Sequence, residues 1–429
     1  MAERQRFTYD LSHYSFQVGR LGSLMTLSTI PVIAGDSMAF DLNGVFRLSP
    51  LRRNLTVDCR VDLFAFYVPY RHVYGDDWIN FLKQGIDETV TFTTVNVGTV
   101  IQPYLGAAYN GVLPLWLIAG YNQIWNRYFR HPTADGDLVA DNALPTAGHG
   151  QRYGRECAHL PAIWNTPIDG EIDESDTRFA LVDTDKIDLI EMARQKARLV
   201  TERRREFYSQ RYRDVLARSF GSSVNVDADE RPTLLMRSSS WMSGYDVDGT
   251  ADATLGTYSG KAATIGNLRC PRKFFQEHGT VWIMALLRFP PIHDQEMHFL
   301  TGREQPTYKE IAGDPDVMAS EPPETVNLLD YFTNVNAVGF VTDAGGAPYG
   351  QWYRMHPNHV HFDYDNVDGF SFLAGGIPSK AIARYVSSTA YDPVFQTQQL
   401  GHWQSQARLD VVADRVVPPV EASIFAGSR

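Results

Sequence analysis

A chain of 429 residues is far longer than one small sandwich needs, and length alone suggests two or three domains. Hydrophobic residues make up 44% and charged residues 21%, the proportions of a globular protein, while 21 Tyr, 23 Phe and 8 Trp favour strands and buried interfaces. The formal net charge of −11 argues against the chain holding nucleic acid by itself, because phosphate binding rests on Lys and Arg; a local basic patch or a basic partner stays open.

Residues 1–37 read as an irregular N-terminal arm. Leu21–Ile33 is apolar but broken by Ser23, Ser28 and Pro31, a composition that suits packing on a neighbour. Residues 38–75 read as the first core strands. Met38, Phe40, Leu42, Phe46 and Leu48 alternate with Ala39, Asp41, Asn43 and Arg47. From Leu55 to Val68 the alternation repeats. Leu55, Val57, Cys59, Val61, Leu63 and Ala65 point one way; Thr56, Asp58, Arg60 and Asp62 point the other, until Phe64 and Phe66 take over that side. Period-two alternation marks a strand with one wet face. The turn-rich link Ser49–Asn54 predicts that the two runs form an antiparallel pair in a sandwich or barrel.

Residues 76–230 read as one large insertion carrying a few helices. Asp76–Lys83 reads as a short helix and Thr89–Ile101 as a surface strand. Leu117, Tyr121, Ile124 and Tyr128 fall at helical spacing, which predicts a helix over 115–130. The Pro/Gly/Asp/Asn-rich stretch 131–178 reads as loop, followed by helices over Asp185–Val200 and 202–219. Strand signals return in Thr233–Met242, Gly279–Phe289, His359–Phe372 and Gln404–Val417, within a region of core strands and long loops spanning 231–417; 418–429 is a tail. No repeat or clean linker appears, so the whole of 1–429 reads as a single β domain with long insertions. Insertions of this size suit covering a partner's surface.

Cys59, Cys157 and Cys270 are odd in number and far apart, and no CxxC occurs, so neither a disulfide framework nor a cysteine zinc site is indicated. No apolar signal-peptide core follows Met1, and the longest apolar run, Val281–Leu287, is too short to span a membrane. Catalytic signatures are near-misses. Gly256–Ala262 lacks one residue of a phosphate loop and ends in Ala where Mg²⁺ needs Ser or Thr. His356, His359 and His361 put two imidazoles on one strand face, too few to complete a tetrahedral site. Asp246, Asp248 and Asp252 surround Gly249 without the register of an EF-hand. Whether Asp246/Asp248 or His359/His361 hold an ion stays open. No cofactor is expected. Asp173/Glu174 and Asp76/Asp77 are carboxylate pairs of the kind glycosidases use, and nothing sets either at the needed separation.

The densest basic run spans Lys196–Arg218. Arg203, Arg204, Arg205, Arg211 and Arg213 lie among Phe207, Tyr208 and Tyr212, the mixture that binds single-stranded nucleic acid by charge and stacking. A helix solvated on one face and packed by its tyrosines on the other accounts for the same residues.

Several blocks then resemble a known family. Asp10-Leu-Ser-His13, Ser28-Thr-Ile-Pro-Val-Ile-Ala-Gly-Asp36, Arg47-Leu-Ser-Pro-Leu-Arg-Arg53 and Phe66-Tyr-Val-Pro-Tyr-Arg-His-Val-Tyr-Gly75 look like the major capsid protein of the microviruses, small icosahedral bacteriophages with single-stranded DNA. Gln210-Arg-Tyr212, Ser243–Thr250, Arg288-Phe-Pro-Pro291, Ile311–Pro315 and Gly350-Gln-Trp-Tyr-Arg354 continue the likeness in order. The resemblance implies a mainly β, eight-stranded antiparallel jelly roll with expanded loops, acting as a structural subunit and not as an enzyme. It implies pentamers that build a T=1 shell around single-stranded DNA in the virion, assembled in the host cell cytoplasm. The implied partners are internal and external scaffolding proteins, a spike protein, a small basic DNA-packaging protein and the genome, with contact to host surface glycans open and no membrane. The family segment matching Glu202–Arg213 is less basic, so the five arginines named above rest on their own pattern and not on the resemblance. A β-sandwich glycan-binding or carbohydrate-active protein is the alternative, since long loops with many Trp and Tyr suit sugar stacking.

Overall fold

The computed structural model describes most of 6–157, 232–313 and 391–417, with short pieces of 325–375. All of these belong to one unit, Met1–Ile168 with Pro232–Arg429; the other, Asp169–Arg231, lies outside the described residues. The predicted helices over Asp185–Val200 and 202–219 and the predicted strand His359–Phe372 lie outside them too.

In chain order the strands β1 (Phe7–Asp10), β2 (His13–Gly19), β3 (Met25–Val32), β4 (Ser37–Leu48) and β5 (Cys59–Pro69) come first. Helix α1 (Tyr70–Tyr74), the mutually paired β6 (Thr94–Asn96) and β7 (Val112–Pro114), and helix α2 (Leu115–Tyr128) follow. Strand β8 (Thr233–Met242) precedes a small ribbon of β9 (Val247–Asp248) and β10 (Thr257–Tyr258), then β11 (Ala263–Phe274) and β12 (Gly279–Arg288). Short pieces β13 (Ile292–His293), α3 (Tyr308–Ala312), β14 (Thr325–Asn327), β15 (Gly346–Pro348) and β16 (Ala374–Gly375) lead to β17 (Trp403–Arg415).

The long strands form two antiparallel sheets. In the first, β1 and β2 both flank β17, followed by β4 and β11. β1 pairs with Val412–Arg415 and β2 with Trp403–Leu409, and between them the Leu11 amide donates to the Val411 carbonyl at 2.8 Å. The two therefore make one interrupted row. The second sheet runs β3-β12-β5-β8. Each sheet thus has four rows, and the chain changes sheet at every step except from β5 to β8. Two four-row antiparallel sheets wound in this way are consistent with the eight-stranded jelly roll that the resemblance implies.

Two expectations fail here. The runs 38–48 and 55–68 do not pair with each other. β4 lies between β17 and β11, and β5 lies between β12 and β8 in the opposite sheet, so the link after Leu48 is a crossover and not a hairpin. Of the second run, residues 52–57 lie outside the described residues. The N-terminal segment is no irregular arm either: from Phe7 it supplies β1, β2 and β3, with Leu24, Met25, Leu27, Ile30 and Val32 buried in the core. Pro31 is tolerated because β3 is an edge strand and Pro31 sits one residue from its end. The expected helix 76–83 lies largely outside the described residues; the helix that is described, α1, starts earlier, at Tyr70.

The two sheets differ in how they are covered. β4 and β17 alternate buried and open positions, so their outward side faces water. β12 is buried from Gly279 to Leu287, which explains its unbroken apolar run. One of its faces meets the first sheet. The other lies under α2, whose Leu117, Ile118, Tyr121, Ile124 and Trp125 are buried. A Cβ on Gly120 would stand 2.8 Å from Trp282 Cζ2, so glycine is what lets α2 sit on that indole. Phe64 and Phe66 meet Phe129 edge-on, at 5.2 and 6.1 Å between ring centroids. Along one side the sheets are tied by Thr264 Oγ1 donating to the Trp241 carbonyl at 3.0 Å, and along the other by Ser15 Oγ donating to the Leu27 carbonyl at 2.6 Å.

Candidate functional site

The first surface of interest is the open face of the first sheet. Alternation in β2 sends Ser15 inward and Tyr14, Phe16 and Val18 outward. Tyr14 is 66% and Phe16 70% exposed, and Ile265 on β11 is 66% exposed. Register places them in rows. Phe16, Gln406, Val45 and Ile265 lie side by side across four strands, next to Tyr14, Arg408, Asn43 and Asn267. Large apolar side chains on a flat sheet face, mixed with amide and guanidinium groups, make an interaction surface.

The second lies on the outer face of the second sheet, beyond the end of α2. The alternation put Asp62 on a wet face. The structure buries it completely. Cross-strand neighbours explain this: Asp62 stands opposite Ser239 on β8 and Leu286 on β12, with Arg60 and Arg288 one step along. Asp62 Oδ1 accepts from Arg60 Nε at 3.0 Å, Arg237 Nη2 at 3.3 Å and Ser239 Oγ at 2.5 Å, and Oδ2 accepts from Arg288 Nη2 at 3.4 Å. Arg60 also lies 5.8 Å from the centre of the Trp241 ring, and Arg237 5.4 Å from that of Phe64. A buried carboxylate therefore gathers three guanidiniums and fixes their rotamers. No sequence spacing could show this, since the partners come from 60, 237, 239 and 288.

Other polar groups serve the fold. His402 Nδ1 accepts the Leu21 amide at 3.2 Å, so Nε2 carries the proton and donates to Asp392 Oδ1 at 2.8 Å. Arg20 pairs with the same carboxylate. Both imidazole nitrogens are engaged, which leaves no base for a nucleophile. Cys59, Cys157 and Cys270 are buried and unpaired with one another, and burial pushes the Cys59 and Cys157 thiols far up, out of the reactive range.

Arg203, Arg204, Arg205, Arg211 and Arg213 all lie outside the described residues, as do Asp246, His359 and His361. Asp248 is placed in β9, opposite Thr257. His356 is described, its ring 5.6 Å from that of His298. Among the described residues no group of three or more His, Cys, Asp or Glu gathers as a metal site, and no helix is long and apolar enough to cross a membrane.

Comparison with known proteins covers nearly the whole chain. The family model described as capsid protein (F protein) matches residues 1–175 and 170–425. Capsid protein F of Escherichia phage G4 is 40% identical over 426 residues, covering 98% of this chain and 97% of the relative. Capsid protein F of Escherichia phage alpha3 is 39% identical over 437 residues, with 98% of both chains covered, and that of Enterobacteria phage phiK is equally similar. A two-sheet antiparallel sandwich with one open apolar face agrees with that match. The chain belongs to the capsid protein (F protein) family, whose members are structural components of the virion and not enzymes.

Proposed function

We propose that this chain is the major shell subunit of a microvirus particle, acting over 1–429 as one capsid domain and assembling through pentamers into a T=1 shell around single-stranded DNA. The observation that carries the reading is the open face of the first sheet, where Tyr14, Phe16, Val18 and Ile265 stand in water in the isolated subunit. Burying such a side chain gains about 1.5–3 kcal/mol, and closed symmetry repeats the gain at every copy. An acidic chain of net charge −11 also suits a small basic DNA-packaging partner, which would neutralise the genome in its place. Internal and external scaffolding proteins and a spike protein complete the proposed partners, and host surface glycans fit the outer side. Assembly takes place in the host cell cytoplasm. Arg203, Arg204, Arg205, Arg211 and Arg213 are the proposed contact to single-stranded DNA or a partner, with a salt-dependent affinity as its signature.

Sedimentation velocity of the purified chain at two salt concentrations tests the shell reading. Pentamer-sized species or closed particles are the expected result. A folded monomer at every concentration and salt would overturn it.

A further inference from the structure

Asp62 holds one negative charge against Arg60, Arg237 and Arg288. Even with Arg288 set aside as the inner partner, two guanidiniums face one carboxylate. Arg60 and Arg237 are also the outer ones, at 33% and 44% side-chain exposure. Arg60 spends Nε on Asp62 and Nη2 on Ser239, and Arg237 spends Nη2 on Asp62. That leaves N–H groups of both at the rim. Trp241, 54% exposed, stands beside Arg60 on the edge strand β8. Arg237, Ser239 and Trp241 follow one another at two-residue steps, about 7 Å apart along the strand.

Exposed Arg and Trp, held in place before any partner arrives, are the side chains that dominate protein–protein contacts. Pre-ordering matters because the entropy of fixing a long side chain is then already spent within the fold. The overall charge of −11 says what would fit: the surface of another copy of this chain is rich in carboxylates, with 50 Asp and Glu against 39 Lys and Arg. We infer that the Arg60–Arg237–Trp241 patch is a docking site for a carboxylate-bearing surface of a second copy, with the guanidiniums taking the carboxylate and the indole covering its apolar flank. This rests on the shell reading and adds to it a specific, charge-paired contact separate from the apolar face of the first sheet. Single-stranded DNA, with phosphates on the arginines and a base on the indole, is the competing occupant.

The experiment uses the full chain as wild type, Arg237→Gln/Trp241→Ala and Arg237→Lys, each checked for an unchanged melting profile. Association is followed by sedimentation velocity between low and high salt, and binding of an oligothymidylate is measured in parallel. The double variant should associate about 30-fold or more weakly at low salt, and it should lose most of the salt dependence of wild-type association. Arg237→Lys keeps the charge but not the planar fork and should fall between the two. Wild-type association and salt dependence in a folded double variant would overturn the inference and leave the shell reading standing. Unchanged association with a loss of oligothymidylate binding would overturn it in favour of DNA. A wild-type chain that never associates would overturn both.

Discussion

Replacing Asp62 by Asn tests whether the buried carboxylate holds this part of the sheet together. The substitution keeps the shape and one acceptor oxygen but removes the charge. Four donors converge on the carboxylate at 2.5–3.4 Å, and three of them are cationic. Removing one partner of a buried ion pair costs about 3–5 kcal/mol, because the remaining charge is left without compensation. Here part of that is recovered. Arg60 and Arg237 are 33% and 44% exposed and can turn towards water, whereas Arg288, at 23%, has less room to do so. The expected loss is therefore at the low end, about 3 kcal/mol. Urea unfolding followed by tryptophan fluorescence would measure it, with an unchanged slope showing that the denatured state is the same. A loss under about 1 kcal/mol would mean that the arginines are solvated independently and that Asp62 does not organise them.

Three further substitutions probe the rest of the fold. Phe66→Ala should cost about 3–5 kcal/mol in the same unfolding assay, because Phe66 is fully buried against Phe64, Tyr128 and Phe129; near-wild-type stability would refute its place in the core. Gly120→Ala gains about 1 kcal/mol of helix propensity but drives a methyl to 2.8 Å from Trp282, an overpacking that costs about 1–3 kcal/mol. The net should be a loss of up to about 2 kcal/mol, relieved when Trp282→Phe is added. Burial raises the Asp141 carboxyl above its ordinary value of 3.8, against the hydrogen bond from Gln123 that lowers it. A raised folded-state value means that stability is fullest below 3.8 and falls as pH rises through the shifted value. Asp141→Asn, which can still accept from Gln123, should flatten that fall; equal pH profiles of wild type and variant by thermal melting would remove the basis for it.

Much of the scaffold was legible because burial writes itself into periodicity. Strand β8 was expected over Thr233–Met242 and lies there, and α2 falls within the expected 115–130. β12 and β17 each lie within two residues of the expected bounds. The strands that escaped notice are those whose stabilising partners are remote. In β3, Ser28 looks like a breaker, yet its hydroxyl is 2.7 Å from His13 Nε2 on β2. In β11, only alternate residues are buried, and Pro271, which has no amide to give the ladder, interrupts the pairing between Cys270 and Lys273. Asp62 reads as wet-facing for the same reason. An Asp on an alternating strand looks solvated until arginines from β8 and β12 are brought over it.

The described part of the long insertion covers a surface of its own subunit. Its length suggested a role in covering a partner's surface. In the described part, α2 instead covers the second sheet of its own subunit, laying Gly120 on Trp282 and Phe129 against Phe64 and Phe66. That dries both faces of β12 and of the Phe64–Phe66 stretch of β5, and leaves the first sheet as the sandwich face that meets water along its length. A subunit built this way is sided: one outer face is closed by its own chain, with a charged rim at Asp62, and the other carries unburied aromatics. Sidedness is what a shell requires, since each copy must present one surface inward and another outward. The contacts themselves can be modest. If the proposed shell buries Tyr14, Phe16, Val18 and Ile265, each gains a few kcal/mol at most, and much of that is offset by the entropy of association. Repetition around a closed assembly would then turn weak single contacts into a stable whole.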